Sequence, residues 1–210
     1  MLKCLHTPFM QELFFVFHSS SIIIIMNLFI LSLCFRECAE AMFDKHVSKM
    51  ILEAAQMLCT AKQMLDPDAE NQITLYKISH KNHPVSIWMR QSLENFMWAI
   101  EMAGAMHDEW KYRYDHPQDK VHKSYAVIQY LRDHPPNAEQ FPEKGLTPFA
   151  QAMPEQYKSE TDAVEAYRRY YQSPDKQKIA TWKKREPPMW YTKYEIIKVK
   201  RRSTNNDMKM

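Results

Sequence analysis

The chain has 210 residues, 45% of them apolar and 25% charged, with a formal net charge of +3. That length fits one domain with tails, the apolar fraction can fill a core, and a charge so close to neutral names no polyanion partner by itself. Only two glycines are present, Gly104 and Gly145, which excludes a Gly-rich phosphate loop of the P-loop or dinucleotide type, so no cofactor is expected.

The first notable stretch runs from Leu13 to Phe35. It carries no Asp, Glu, Lys or Arg and includes Ile22-Ile23-Ile24-Ile25, long enough for a membrane span or a signal segment. His18-Ser19-Ser20-Ser21 interrupts it, and Met26-Asn27-Leu28-Phe29-Ile30-Leu31 looks like a fresh start. The favoured reading is an extension over 1–25, absent or processed in the mature protein, ahead of a domain that begins near Met26. A membrane segment over 13–35 is the disfavoured alternative, and no stable membrane partner is expected. Cys4, Cys34, Cys38 and Cys59 lack paired CxxC spacing, so they read as reduced thiols of an intracellular protein, with no zinc set.

From Arg36 to Leu65 the apolar residues Phe43, Val47, Met50, Ile51, Ala54, Met57, Leu58, Ala61 and Leu65 recur at helical spacing. Asp66-Pro67-Asp68 ends that helix. The short stretch from Ile73 to Ser79 reads as extended. His80-Lys81-Asn82-His83-Pro84 is a basic turn whose proline opens a helix running to about Tyr114, with Trp88, Leu93, Phe96, Met97, Ile100 and Trp110 facing inward. A shorter helix near Asp119 to Arg132 stops at Pro135-Pro136.

The stretch from Asp133 to Lys158 holds Pro135, Pro136, Pro142, Pro148 and Pro154, so it reads as a long loop. Asp162 with Glu165 starts a helix through Tyr171, and after Ser173-Pro174 a last helix or turn reaches Trp182. The expected fold is all-α: a compact single-domain helical bundle over 26–194, with a long Pro-rich loop and a basic C-terminal region ending in a tail over 195–210.

His46 and Glu53 stand seven residues apart, about 20° on a helical wheel, with Lys49 on the same margin beside the apolar stripe. A carboxylate there is either desolvated, which raises its pKa, or held ionised by Lys49. An ordinary surface salt bridge with a boundary histidine fits the same pattern. His80 and His83 lack a clear third ligand, so the turn reads as a phosphate contact or a cap, and no metal is expected.

Toward the C-terminus Lys176, Lys178, Lys183, Lys184, Arg185, Lys193, Lys198, Lys200, Arg201 and Arg202 face only Asp175, Glu186 and Glu195. That basic pole, interleaved with aromatic rings, suits phosphates and bases. Trp182 and Trp190 read either as stacking rings or as packing. A nucleic-acid surface would draw on Lys45, Lys49, His80, Lys81, His83, Arg90, Tyr167, Arg168, Tyr171, Lys176, Trp182, Lys183, Arg185, Trp190 and Tyr191.

Several short motifs carry a resemblance. Tyr76-Lys77-Ile78-Ser79, the His46-to-Glu53 spacing, Met153-Pro154-Glu155-Gln156-Tyr157-Lys158, Lys178-Ile179-Ala180 and Pro188-Met189-Trp190-Tyr191 resemble the phage pyrimidine-dimer DNA glycosylases of the endonuclease V type. The start Asp44-Lys45-His46-Val47, the turn His80-Lys81-Asn82-His83-Pro84 and Ala152-Met153-Pro154 look closer still to uncharacterised small proteins of phages and large DNA viruses. The resemblance spans about Met26 to Tyr194.

It implies an all-α enzyme that acts on double-stranded DNA, cutting the glycosidic bond at a damaged base and then the backbone. It implies a cytoplasmic, nuclear or virion location in a viral setting. The family nucleophile is the chain's own α-amine, assisted by a helix glutamate that corresponds to Glu53, with a histidine that corresponds to His46. An α-amine has a pKa of about 7.7 to 8.0 against about 10.4 for lysine, so far more of it is neutral at cellular pH.

Met1 lies far upstream of the domain, so the scheme needs an amine exposed at Met26 or Asn27; Lys49 or Lys45 would be substitutes. The basic residues beside the family glutamate are unmatched, since Leu52 precedes Glu53 and Gln56 follows. The alternatives to a glycosylase with lyase activity are a non-catalytic nucleic-acid-binding protein and an all-α hydrolase of nucleotides or modified bases.

Overall fold

A computed structural model describes residues 26–191 of the chain; the basic tail and the extension fall outside them. The described residues form an all-α domain of seven helices with no strand. These are α1 (Phe35–Ala41), α2 (Asp44–Leu65), α3 (Pro84–Met89), α4 (Leu93–Arg113), α5 (Lys123–Asp133), α6 (Ala163–Tyr171) and α7 (Pro174–Gln177). None of them is long and apolar enough to cross a membrane. Residues 26–34 of the apolar N-terminal run are not helical. They thread through the core instead, with Met26, Leu28, Phe29, Ile30 and Leu31 all buried.

Helices α2 and α4 are the central pair, and α1, α3 and α5 pack around them. Helix α2 buries residues on more than one face, including Val47, Met50, Ile51, Ala54, Ala55, Leu58 and Cys59, as a helix wrapped by neighbours does. Where the sequence predicts one helix from Arg36 to Leu65, Met42 and Phe43 are extended and separate α1 from α2. Arg113, fully buried on α4, explains the break: its guanidinium donates to the carbonyls of Glu40 and Met42 at 2.8 Å each, binding backbone that a continuous helix would have used itself.

The predicted helix from Pro84 to Tyr114 likewise divides. Ser92 is extended and its hydroxyl accepts from Asn95 N, so α4 begins with a cap of its own. Asp162 caps α6 through Glu165 N, and Pro84 opens α3 with His83 as its cap. The stretch 73–79 is irregular.

The Pro-rich loop is ordered by pinning rather than by secondary structure. Asn95 donates to Thr147 Oγ1 at 2.6 Å and accepts from Thr147 N at 2.9 Å. Gly145, with φ of +80°, a conformation glycine adopts without strain, donates its N–H to Glu94. Phe149 closes on Trp88 and Trp98. The loop thereby brings residues 150–152 against the N-terminal segment, where Asn27 Nδ2 donates to Ala152 O at 2.7 Å.

Candidate active site

Three segments far apart in the chain meet around Glu53. The second turn of α2 supplies Lys49 and the third supplies Glu53; the segment 26–31 supplies Asn27 and Phe29; α6 and α7 supply Tyr167, Tyr170, Tyr171 and Lys176. Asn27 is the clasp. Its side-chain Oδ1 accepts from its neighbour Leu28 N and from the Tyr167 hydroxyl at 3.0 Å, while its Nδ2 holds the loop. With the side chain fixed on both sides, the main-chain N–H of Asn27 points at Glu53 and donates to Oε2 at 2.9 Å.

Glu53 is 2% exposed. Lys49 Nζ lies 3.0 Å from its other oxygen, Oε1, as an ion pair. Oε1 is buried, and the partner that reaches it among the described residues is this half-exposed ammonium. Burial raises the Glu53 pKa, opposed by Lys49, by the Asn27 N–H and by the positive charge of Lys176. The two options the sequence left open therefore act together at one carboxyl: it is desolvated and it has a cation beside it.

His46 is buried two turns earlier on the same helix. Its ring stacks on Phe29 at 4.5 Å between centroids and its Nδ1 shares a short hydrogen bond with the Tyr171 hydroxyl. Burial, reinforced by the charges of Lys176, Lys49 and Lys45, pushes its pKa down to about 2. His46 is therefore a neutral wedge that sets the positions of Phe29 and Tyr171. Lys176 is partly exposed, with Nζ 4.7 Å from the centroid of Phe29 and 4.9 Å from that of Tyr170.

The other residues expected at a nucleic-acid surface divide by exposure. Lys45, Lys49, Lys81 and Lys183 are exposed, as is His80, which holds a left-handed turn at φ 48°. Tyr167, Tyr171 and Tyr191 are buried, their rings packed in the core and not presented to a base. Arg185 is committed to Glu109 at 2.8 Å and Glu40 at 3.1 Å. Arg90 donates to the carbonyls of Lys81 and Ser86, His83 caps α3, and Arg168 Nε holds Leu31 O at 2.8 Å.

Trp182 Nε1 donates to Ala41 O, with its ring edge-on to Phe43, and Trp190 is half-buried beneath the Arg168 guanidinium. Met26 is buried beside Asn27. Among the described residues no group of three or more His, Cys, Asp or Glu gathers as a metal-ligand set.

A cleft of about 660 Å³ lies elsewhere, between α1, α4 and α5. Its lining mixes Glu101, Asp108 and Glu109 with Arg36, Arg132 and Arg185 and includes no residue of the Glu53 cluster. A mixed lining of that kind does not favour a polyanion. No family model matches the chain, nor does any curated protein or solved structure.

Proposed function

We propose that the protein is a DNA base-processing enzyme, a glycosylase with strand-cleaving lyase activity, in which a primary amine beside Glu53 attacks the sugar at C1′ and Glu53 carries the protons. The observation that supports this most is the 2.9 Å contact between Asn27 N and Glu53 Oε2, with Oε1 paired to the exposed Lys49 ammonium. In a chain that starts at Asn27, that nitrogen is an α-amine already within proton-transfer reach of a carboxyl group. A carboxyl with a raised pKa can give a proton to the departing base and take one from C2′ afterwards. Nothing in this scheme needs a metal ion, so it predicts activity in EDTA.

Borohydride trapping on duplex DNA with a pyrimidine dimer or an abasic site tests the reading, using the full chain and forms that start at Met26 and Asn27. A covalent protein–DNA adduct that Glu53→Gln abolishes is the expected result. No adduct from any form, with strand cleavage surviving in Glu53→Gln, removes the mechanism. The exposed lysines at 45, 81 and 183 support a second reading, a binding protein without chemistry. Salt-sensitive DNA binding that is unchanged in Glu53→Gln, with no product formed, would favour it.

A further inference from the structure

We propose that Lys176 is the reactive amine of the Glu53 site in the continuous chain, condensing with an aldehyde carbon such as C1′ of an abasic deoxyribose. This rests on the Schiff-base reading above and names its nucleophile. In a chain that continues through Met26 the nitrogen of Asn27 is an amide, its lone pair delocalised into the carbonyl, and Asn27 is fully buried. It can orient Glu53 but cannot attack carbon.

Two lysines with different surroundings then act on the Glu53 charge, Lys49 by direct contact and Lys176 through its field from over the Phe29 ring. Lys49 extends outward, its side chain 53% exposed and its ammonium engaged with Oε1. Lys176 turns inward over the faces of Phe29 and Tyr170, and among the described residues no oxygen accepts a hydrogen bond from it and no carboxylate pairs with it. Two rings stand where a lysine would ordinarily have water or a carboxylate. The same side chain remains partly exposed, so a substrate can approach it.

Its setting is fixed. Ser173 and Pro174 open α7 directly after α6, and Phe29 beneath Lys176 is itself clamped by His46 and Tyr171. The charged and titratable groups that face it are Glu53 and Lys49 on α2, His46 on the same helix, Tyr170 on α6 and Asp175 beside it. Burial lowers its pKa to about 8, with Lys49 pushing the same way against Glu53 and Asp175. Against an ordinary lysine near 10.4, that leaves on the order of 100-fold more neutral amine at about pH 7.5.

The chemistry balances without a co-reactant. The Nζ lone pair bonds to the aldehyde carbon while the carbonyl π pair moves to oxygen, which takes a proton. The nitrogen gives up a proton, its lone pair forms the C=N bond, and the hydroxyl leaves as water with a proton from the Glu53 carboxyl. The Glu53 carboxylate then takes a proton from C2′, and the C–H pair forms C1′=C2′ as the iminium π pair moves to nitrogen; the nitrogen pair re-forms C=N, the C1′=C2′ pair becomes C2′=C3′, and the C3′–O bond breaks with its electron pair on the departing phosphate.

The test uses the full chain with two aldehyde probes, an abasic-site duplex and glycolaldehyde, each trapped with cyanoborohydride and mapped by peptide mass spectrometry. We expect Lys176 to carry the adduct with both probes, labelled at least about ten-fold faster than an average lysine, with a rate that rises through about pH 8 instead of about 10. In Lys176→Arg, which keeps a cation over the two rings, the adduct should be lost. Adduct at Lys176 with glycolaldehyde alone upholds the amine and overturns the DNA substrate. Adduct only at the chain's α-amine or at another lysine overturns Lys176 and leaves the Schiff-base reading standing. No adduct at any amine overturns both.

Discussion

Replacing Glu53 by Gln separates the charge of this side chain from its shape. The amide oxygen still accepts the Asn27 N–H now held at 2.9 Å, so the net contribution of that bond, about 1 kcal/mol, is kept. The ion pair to Lys49 is lost, but one partner is 53% exposed, and pairs so open to water contribute about 0.2 to 1 kcal/mol. Against that small loss stands the burial of an ionised carboxylate, which costs several kcal/mol before compensation. The balance predicts a variant about 1 to 2 kcal/mol more stable than the wild type near pH 8, or about 2 to 8 °C in melting temperature at this size.

The sign with pH follows. Burial holds the folded pKa of Glu53 above its ordinary value of 4.5. The group's contribution to stability is thus complete below that value and is lost as pH rises through the folded pKa, at about 1.4 kcal/mol per pH unit. Gln removes that loss, so the advantage of the variant should grow with pH and vanish near pH 4.5. Urea unfolding of both proteins across this range measures it. In the same variant, strand cleavage should fall by about 100- to 10,000-fold, the usual share of a general acid–base group. A variant less stable than wild type by more than about 1 kcal/mol near pH 8 would mean that the carboxylate is net stabilising, and the argument from burial would be wrong.

Two further outcomes follow from other buried groups. Arg113→Met should cost about 3 to 5 kcal/mol in chemical denaturation, because the buried Glu109 loses its 2.6 Å partner, the carbonyls of Glu40 and Met42 lose their donor, and Asp44 keeps Lys183 N but loses the guanidinium; a loss under about 1 kcal/mol would show that the guanidinium does not hold α1 to α2. His46 has a folded pKa of about 2 against an ordinary 6.5, so its contribution is complete above the ordinary value and is lost as pH falls below it. His46→Gln should therefore flatten the acid limb of the stability profile by about one proton, or about 1.4 kcal/mol per pH unit, and an unchanged slope would contradict the burial argument.

The sequence made one half of this site legible. Helical spacing put His46, Lys49 and Glu53 on one margin of α2, because that information is local. The other half is carried by tertiary contacts: Asn27 meets Glu53 across 26 residues, and Lys176 arrives from a four-residue helix that no periodicity announces. The tyrosines at 167, 170 and 171 were readable. Spacings of three and four are those of an apolar helix face, and these rings are buried. The cations flanking them divide: Arg169 is exposed, whereas Arg168 turns back to Leu31 O and covers Trp190.

The divided helices show the same distinction. Ser92 followed three residues later by Asn95 is a cap that sequence alone displays, whereas the break at Met42–Phe43 depends on Arg113, some 70 residues away. The Pro-rich loop was recognisable as a loop, but its pinning by Asn95 and Glu94 was not, since neither residue pairs locally.

Two buried charge clusters sit on the central helices, and the difference between them bears on the proposed chemistry. Around Arg113 every charge is matched: Glu109 takes Arg113 and both arms of Arg185, Asp44 takes Arg113 and Lys183 N, and the remaining guanidinium donors meet backbone carbonyls. A cluster closed in this way can hold α1, α2 and α4 in register and has nothing left with which to bind a substrate. Around Glu53 the matching is incomplete. One carboxyl oxygen relies on the half-exposed Lys49 ammonium, and Lys176 rests on rings instead of an anion. The Glu53 cluster pairs its buried acid with a solvent-exposed cation and seats Lys176 over two rings, and this is the difference on which the proposed chemistry draws.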